Sequence, residues 1–205
     1  MQVLSSPLFP TLVWTTVFED RADFNRELLQ RAYALRARDP RGVRNTNVQG
    51  WQSANTIQGD PAFGPVCNRL TAVVRQITAG LEVVDAELRL QAWVNISPPG
   101  AWNRAHVHPG CHFSGVYYVR TPPGSGHIYF RDPRVAATML RLPVRRENHF
   151  TASEASMPPE EGRLYVFPAW LEHGVQPNTG DSDRVGVSFN VLVSVPAPPQ
   201  GARAR

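Results

Sequence analysis

A chain of 205 residues, 42% of them hydrophobic, is long enough to bury the core of one domain, and none of its apolar runs approaches the roughly 20 residues needed to span a bilayer. Its formal charge of +4 and pI near 9.6 raise the question of nucleic acid, but all 21 basic residues are Arg and they are spread along the chain. The charge therefore reads as residue usage, and neither nucleic acid nor a membrane is an expected partner. With no Lys, the chain has no Schiff-base lysine, no Walker-type phosphate lysine and no lysine general base. Two cysteines, Cys67 and Cys111, are too few for a disulfide framework. The first residues lack the charged and apolar regions of a signal peptide, so a cytoplasmic enzyme or binding protein is expected, with a homodimer kept as a candidate state.

In chain order, residues 12–18 predict a strand rich in Val, Thr and aromatics. Asp20 is a candidate cap for a helix over 22–38, with Phe24, Leu28, Leu29, Ala32 and Leu35 at helical spacing. Residues 41–61 are polar and Gly-rich, and Trp51 within them is expected to anchor the loop to the core. A second helix follows over 65–79, with Val66, Leu70, Val73, Val74 and Ile77 on one face. Beyond Gly80 the period changes. Leu88, Leu90, Ala92, Val94 and Ile96 alternate with Arg89, Gln91, Trp93, Asn95 and Ser97, which gives a strand with two distinct faces. Short strand candidates then recur at 105–108, 113–120, 127–131, 148–152, 163–167, 174–176 and 184–193, separated by Pro- and Gly-containing turns. The expected fold is mainly β with N-terminal helices, a double-stranded β-helix or cupin-like jelly roll. We expect a single domain over 1–195, with a helical buttress over about 1–80, a β core over about 81–195 and a Pro/Arg-rich tail over 196–205.

Three of the six histidines fall in AHVHPGCHFSGVYYVR. Side chains two apart in an extended chain share a face, so His106 and His108 can reach one metal ion together. A further histidine, His173, lies in FPAWLEHGVQPN. It is expected to face the pair across the barrel from a non-adjacent strand, completing a mononuclear centre with open coordination positions. On the last strand Arg184, Gly186, Ser188 and Asn190 share a face. An Arg at the entrance of a barrel, with a hydroxyl beyond it, forms a carboxylate receptor, because the planar guanidinium pairs bidentately with a carboxylate. The competing reading is a surface salt bridge from Arg184 to Asp181 or Asp183. His112 reads as a rim residue, His127 and His149 as structural or surface residues, Cys111 as a residue of opposite parity to the His pair, and Asp132 as a turn former.

The ordered set His106 to Pro109, Ser114 to Tyr118, Asp132 to Arg134, Phe167 to Asn178 and Arg184 to Asn190 resembles the Fe(II)/2-oxoglutarate-dependent oxygenases, in particular a bacterial and phage group. The resemblance covers at least residues 93–190. It implies Fe(II) as the metal and 2-oxoglutarate as cosubstrate, with the far carboxylate held by Arg184, Ser188 near it, a hydroxyl from Tyr118, and Asn95 and Asn190 as further polar contacts. It also implies decarboxylation of 2-oxoglutarate coupled to oxidation of an unidentified small-molecule or peptide substrate. The usual first-strand pattern of the superfamily is His-x-Asp, and here His108 stands where the carboxylate would fall. Two ligand sets stay open: His106, His108 and His173 together, or His108 and His173 with a vacant position beside Gly110. Two functional alternatives also stay open, a three-histidine cupin-type dioxygenase that uses no 2-oxoglutarate and a non-catalytic metal- or ligand-binding jelly roll. Specificity would come from residues 41–61, 98–104 and 134–161, whose Trp and Arg content suits a polar or anionic substrate.

Overall fold

The computed structural model describes residues 1–83 and 86–195, so the tail expected over 196–205 lies outside the described residues. A strand β1 (Trp14–Val17) leads into helix α1 (Arg21–Arg38), and two short strands, β2 (Asn47–Val48) and β3 (Trp51–Gln52), precede helix α2 (Gly64–Gly80). The strands β4 (Glu87–Ser97), β5 (Trp102–His106), β6 (Phe113–Arg120) and β7 (Ile128–Arg131) follow. A short helix α3 (Val135–Met139) separates them from β8 (Glu154–Met157), β9 (Arg163–Pro168), β10 (His173–Val175) and β11 (Arg184–Ser194). The strands form two antiparallel sheets, a larger one in the order β1-β9-β6-β11-β4-β3 and a smaller one in the order β2-β5-β10-β7-β8. This is the expected jelly roll, with the strands from β4 to β11 as its eight-stranded body.

Strand alternation decides what each face of the larger sheet meets. Ala92, Val94 and Ile96 of β4 and Val187, Phe189 and Val191 of β11 turn outward. They pack under Leu28 and Ala32 of α1 and Val66, Leu70, Val74 and Ile77 of α2. Burying side chains of this size contributes on the order of 1.5–3 kcal/mol each, which holds the helices to the sheet although neither helix pairs with it. The opposite parity of the same strands, Trp93 and Asn95 of β4 and Gly186, Ser188 and Asn190 of β11, turns inward to a pocket between the sheets. A second apolar cluster between the sheets, including Tyr118, Ile128, Phe130, Phe167 and Leu171, closes the barrel around it.

Four local expectations are corrected. Residues 148–152 form turns rather than a strand, because Asn148 Oδ1 accepts the Phe150 N–H at 2.9 Å and the Asn148 N–H donates to Thr151 Oγ1 at 3.1 Å. This side-chain turn chemistry outcompetes a ladder, and β8 begins only at Glu154. The strand expected at 105–108 begins earlier, at Trp102, and ends at His106. Asp20 precedes α1 without capping it. Its carboxylate instead takes Arg69 of α2, with Nη1 to Oδ1 at 2.6 Å. The polar segment 41–61 is not all loop, since β2 joins the smaller sheet through β5 and β3 joins the larger through β4. Trp51 does anchor it, being buried and donating its indole N–H to the Asp39 carbonyl at 2.8 Å.

Candidate metal centre and pocket

The histidines meet where β5 and β10 lie side by side. These strands are hydrogen-bonded neighbours, with His173 directly opposite His106, so the expected placement on facing, non-adjacent strands is corrected. His108 lies two residues past the end of β5, but its N–H donates to the Ala169 carbonyl at 2.9 Å. That bond keeps the chain tied down, and both side chains of the His-x-His pair still reach the same space. Ring centroids are 4.8 Å apart for His106 and His108, 4.4 Å for His106 and His173, and 5.2 Å for His108 and His173. One ligand-capable nitrogen from each residue lies within 4.8 Å of the others, a cluster that could hold a metal ion. Gly110 sits in the following turn with φ +81°.

The tautomers of two rings follow from their partners. His106 Nδ1 is 2.7 Å from the Arg104 carbonyl, and His173 Nδ1 is 2.9 Å from the Leu171 carbonyl. A carbonyl only accepts, so each Nδ1 carries the proton and each Nε2 keeps its lone pair for a metal. Burial keeps the rings neutral. It pushes His173 down to about 3 from its ordinary 6.5, helped by the adjacent His106, and His108 down to about 4; His106 is lowered for the same reason. Three neutral imidazoles, those of His106 and His173 with the proton-bearing nitrogen turned away, suit a divalent transition metal.

The pocket beneath them has a volume of about 300 Å³. Arg184 opens β11 inside it and is only 5% exposed. Its Nη1 donates to the carbonyls of Ser125 and, at 3.3 Å, of Gln176. The surface-salt-bridge alternative is corrected, because Asp183 accepts the Tyr33 hydroxyl at 2.8 Å and faces Arg36, while Asp181 accepts the Ser182 hydroxyl. Tyr118 also lines the pocket, and its buried hydroxyl has no hydrogen-bond partner among the described residues. Burial raises that hydroxyl well above the usual phenol range, so it is a neutral donor. Asn95 donates to Ser188 Oγ at 2.9 Å, and Asn190 is shared between Ser114 and His108. The structure thus brings together all eight residues singled out from sequence.

Of the others, His112 is exposed and accepts the Val193 N–H on Nδ1, while His127 and His149 are exposed. Asp132 holds a turn by accepting the Arg134 N–H. Sequence reasoning missed the far wall of the pocket. Trp93, whose ring lies 5.9 Å from His108, shares the parity of Asn95 and was legible on that ground. Asn45 and Gln52 come from the segment tying the two sheets together, and no period in the sequence points to them. Among the described residues Arg184 is the only Arg lining the pocket, and uncharged amides such as Asn45, Gln52 and Asn95 are frequent in its polar lining.

A family model described as "Putative 2OG-Fe(II) oxygenase" matches residues 91–190. No curated protein matches the sequence. Among solved structures, a prolyl-4-hydroxylase from Pseudomonas putida superposes with a TM-score of 0.66 at 17% identity, over 89% of this chain and 92% of that one. A prolyl hydroxylase from Trichoplax adhaerens, in complex with a hypoxia inducible factor oxygen degradation domain peptide fragment, gives 0.63 at 13% identity, over 88% and 83%. HygX from Streptomyces hygroscopicus, with nickel, 2-oxoglutarate and hygromycin B bound, gives 0.62 at 14% identity, over 89% and 83%. At such identities the superpositions show the shared fold. The matched segment runs from β4 to β11 and takes in the converging histidines and Arg184, and over it the chain resembles the 2OG-Fe(II) oxygenases.

Proposed function

We propose that His106, His108 and His173 hold Fe(II) and that Arg184 binds the far carboxylate of 2-oxoglutarate, with the Tyr118 hydroxyl donating to it. Bound together, Fe(II) and 2-oxoglutarate would activate O2, one oxygen atom entering the succinate formed as 2-oxoglutarate loses CO2 and the other oxidising a C–H bond of the substrate. The observation that carries the cosubstrate reading is the pair formed by Arg184 and Tyr118, a buried cation whose acceptors are backbone carbonyls and a buried hydroxyl with no acceptor. A carboxylate answers both at once. The convergence of His106 on the other two rings favours the three-histidine set over a vacant position beside Gly110, a turn residue. In this arrangement Asn95 and Ser188 bond each other within reach of the cosubstrate, and Trp93 screens His108 from water. The substrate enters beside Asn45 and Gln52. We take it to be a small molecule or a peptide group, the kinds of partner seen with HygX and the Trichoplax enzyme. No helix among the described residues is long and apolar enough to cross a membrane, and Cys67 and Cys111 are free thiols, which suits a reducing compartment such as the cytoplasm.

Anaerobic titration with Fe(II), with and without 2-oxoglutarate, tests the reading. A weak visible charge-transfer band that needs both components is expected, and it should vanish in Arg184→Ala while Fe(II) binding persists. Fe(II) binding that 2-oxoglutarate leaves unchanged would instead indicate a cupin-type dioxygenase. Absence of Fe(II) binding would leave a non-catalytic jelly roll.

A further inference from the structure

The three histidines are not held alike. His106 and His173 each place Nδ1 on a backbone carbonyl, which can only accept. His108 places Nδ1 3.3 Å from Nδ2 of the Asn190 side-chain amide, a group with a donating end and an accepting end. The other end of that amide, Oδ1, accepts the Ser114 hydroxyl at 2.8 Å, directly across the β6–β11 ladder. Asn190 and Ser114 are both buried, Ser114 almost completely, so water does not compete for these bonds.

The two faces of the amide have opposite consequences for a metal. With –NH2 toward the ring, the amide donates into the Nδ1 lone pair and the proton must sit on Nε2, the nitrogen a metal would use. With the oxygen toward the ring, it accepts an Nδ1–H and Nε2 is free. The two orientations differ only in amide nitrogen and oxygen, which occupy nearly the same positions. A hydroxyl both donates and accepts, so Ser114 satisfies the amide either way round.

We propose that Asn190 is the positioning residue for His108. In the metal-bound protein the amide is turned over from the arrangement above, so that its side-chain oxygen faces the ring and holds the Nδ1–H tautomer while Ser114 takes the amide N–H. The inference rests on the ligand set proposed above. It makes His108 the ligand whose readiness depends on a side chain rather than on the main chain, at the position where the superfamily pattern has a carboxylate. The motif Arg184 to Asn190 thereby serves both halves of the site, with its first residue on the cosubstrate side and its last on the metal.

The test is the affinity for Zn(II), which needs no turnover, in full-length variants. Asn190→Leu should weaken Zn(II) binding about 10–100-fold, the usual effect of losing a ligand's outer partner. Asn190→Asp offers only acceptors and adds negative charge, so it should bind Zn(II) as tightly as the parent or more so. A purely structural role predicts the reverse order, because a buried carboxylate disturbs packing and Leu does not. Equal affinity in Asn190→Leu and the parent would overturn the proposal, as would an Asn190→Asp variant that folds and binds as weakly as Asn190→Leu. Should Asn190→Asp not fold, nitrogen-15 NMR of the parent with labelled His decides. A zinc-loaded His108 protonated on Nδ1 supports the proposal, and one protonated on Nε2 overturns it. Full retention of Zn(II) by His108→Ala would locate the fault in the ligand set itself, whereas loss in His108→Ala without loss in Asn190→Leu would fault only the role of Asn190.

Discussion

Two side chains of the pocket predict effects of opposite sign on stability and on binding. The Tyr118 hydroxyl is buried without a partner among the described residues, which costs the cosubstrate-free protein about 1–3 kcal/mol. Tyr118→Phe should therefore raise the unfolding free energy by about 1 kcal/mol in chemical denaturation while weakening 2-oxoglutarate binding. A less stable variant would mean that the hydroxyl is satisfied after all. The histidines predict a pH dependence. Their folded values lie below the ordinary 6.5, at about 4 for His108 and about 3 for His173, so an unfolded chain takes up protons that the fold refuses. The metal-free protein should lose stability as pH falls from about 7 toward 4, with the loss levelling off below about 3. Urea denaturation at pH 7.5 and at pH 5 checks this, and equal midpoints would contradict it. At this scale much was legible in the sequence. The His-x-His spacing and the parity of Arg184, Ser188 and Asn190 follow from strand geometry, whereas the contact of Asn190 with His108 depends on which strands become neighbours, and that is not written in any local period.

The elements show where periodicity stops informing. Long strands such as β4 and β11 repeat their alternation often enough to be read directly, and β6 falls on the expected residues 113–120. The two-residue strands β2 and β3 carry no period at all, yet they bring Asn45 and Gln52 to the pocket. The turn at 148–152 looked extended because its composition hides a side-chain hydrogen bond to the backbone. Packing between strands also sets demands invisible in one strand alone. Gly115 of β6 lies between β9 and β11, and a Cβ there would meet the Phe189 ring and the Tyr165 carbonyl, each at 2.5 Å. Neither neighbour has room to give. Gly115→Ala is expected to cost about 1–3 kcal/mol in denaturation, the usual range for overpacking, and an unchanged midpoint would show that the sheet can part there.

For the whole molecule, the family match covers the barrel from residue 91 to 190, while both long helices lie outside it. They are nonetheless what covers the outer apolar face of the larger sheet. A fragment of residues 87–195 should aggregate, and a monomer with a cooperative melt would show that the barrel stands alone. The buried guanidinium of Arg184 has a further consequence. Its hydrogen-bond acceptors among the described residues are backbone carbonyls, so under the proposed function its counter-charge is a bound anion and the barrel interior serves as an anion trap. Small dicarboxylates such as succinate, malonate or oxalate in a buffer will compete there, whereas bulk ionic strength will matter little at such depth. Affinities for 2-oxoglutarate should therefore shift with the identity of the buffer anion at constant ionic strength, and a series of such anions measures how closely the pocket fits a five-carbon diacid.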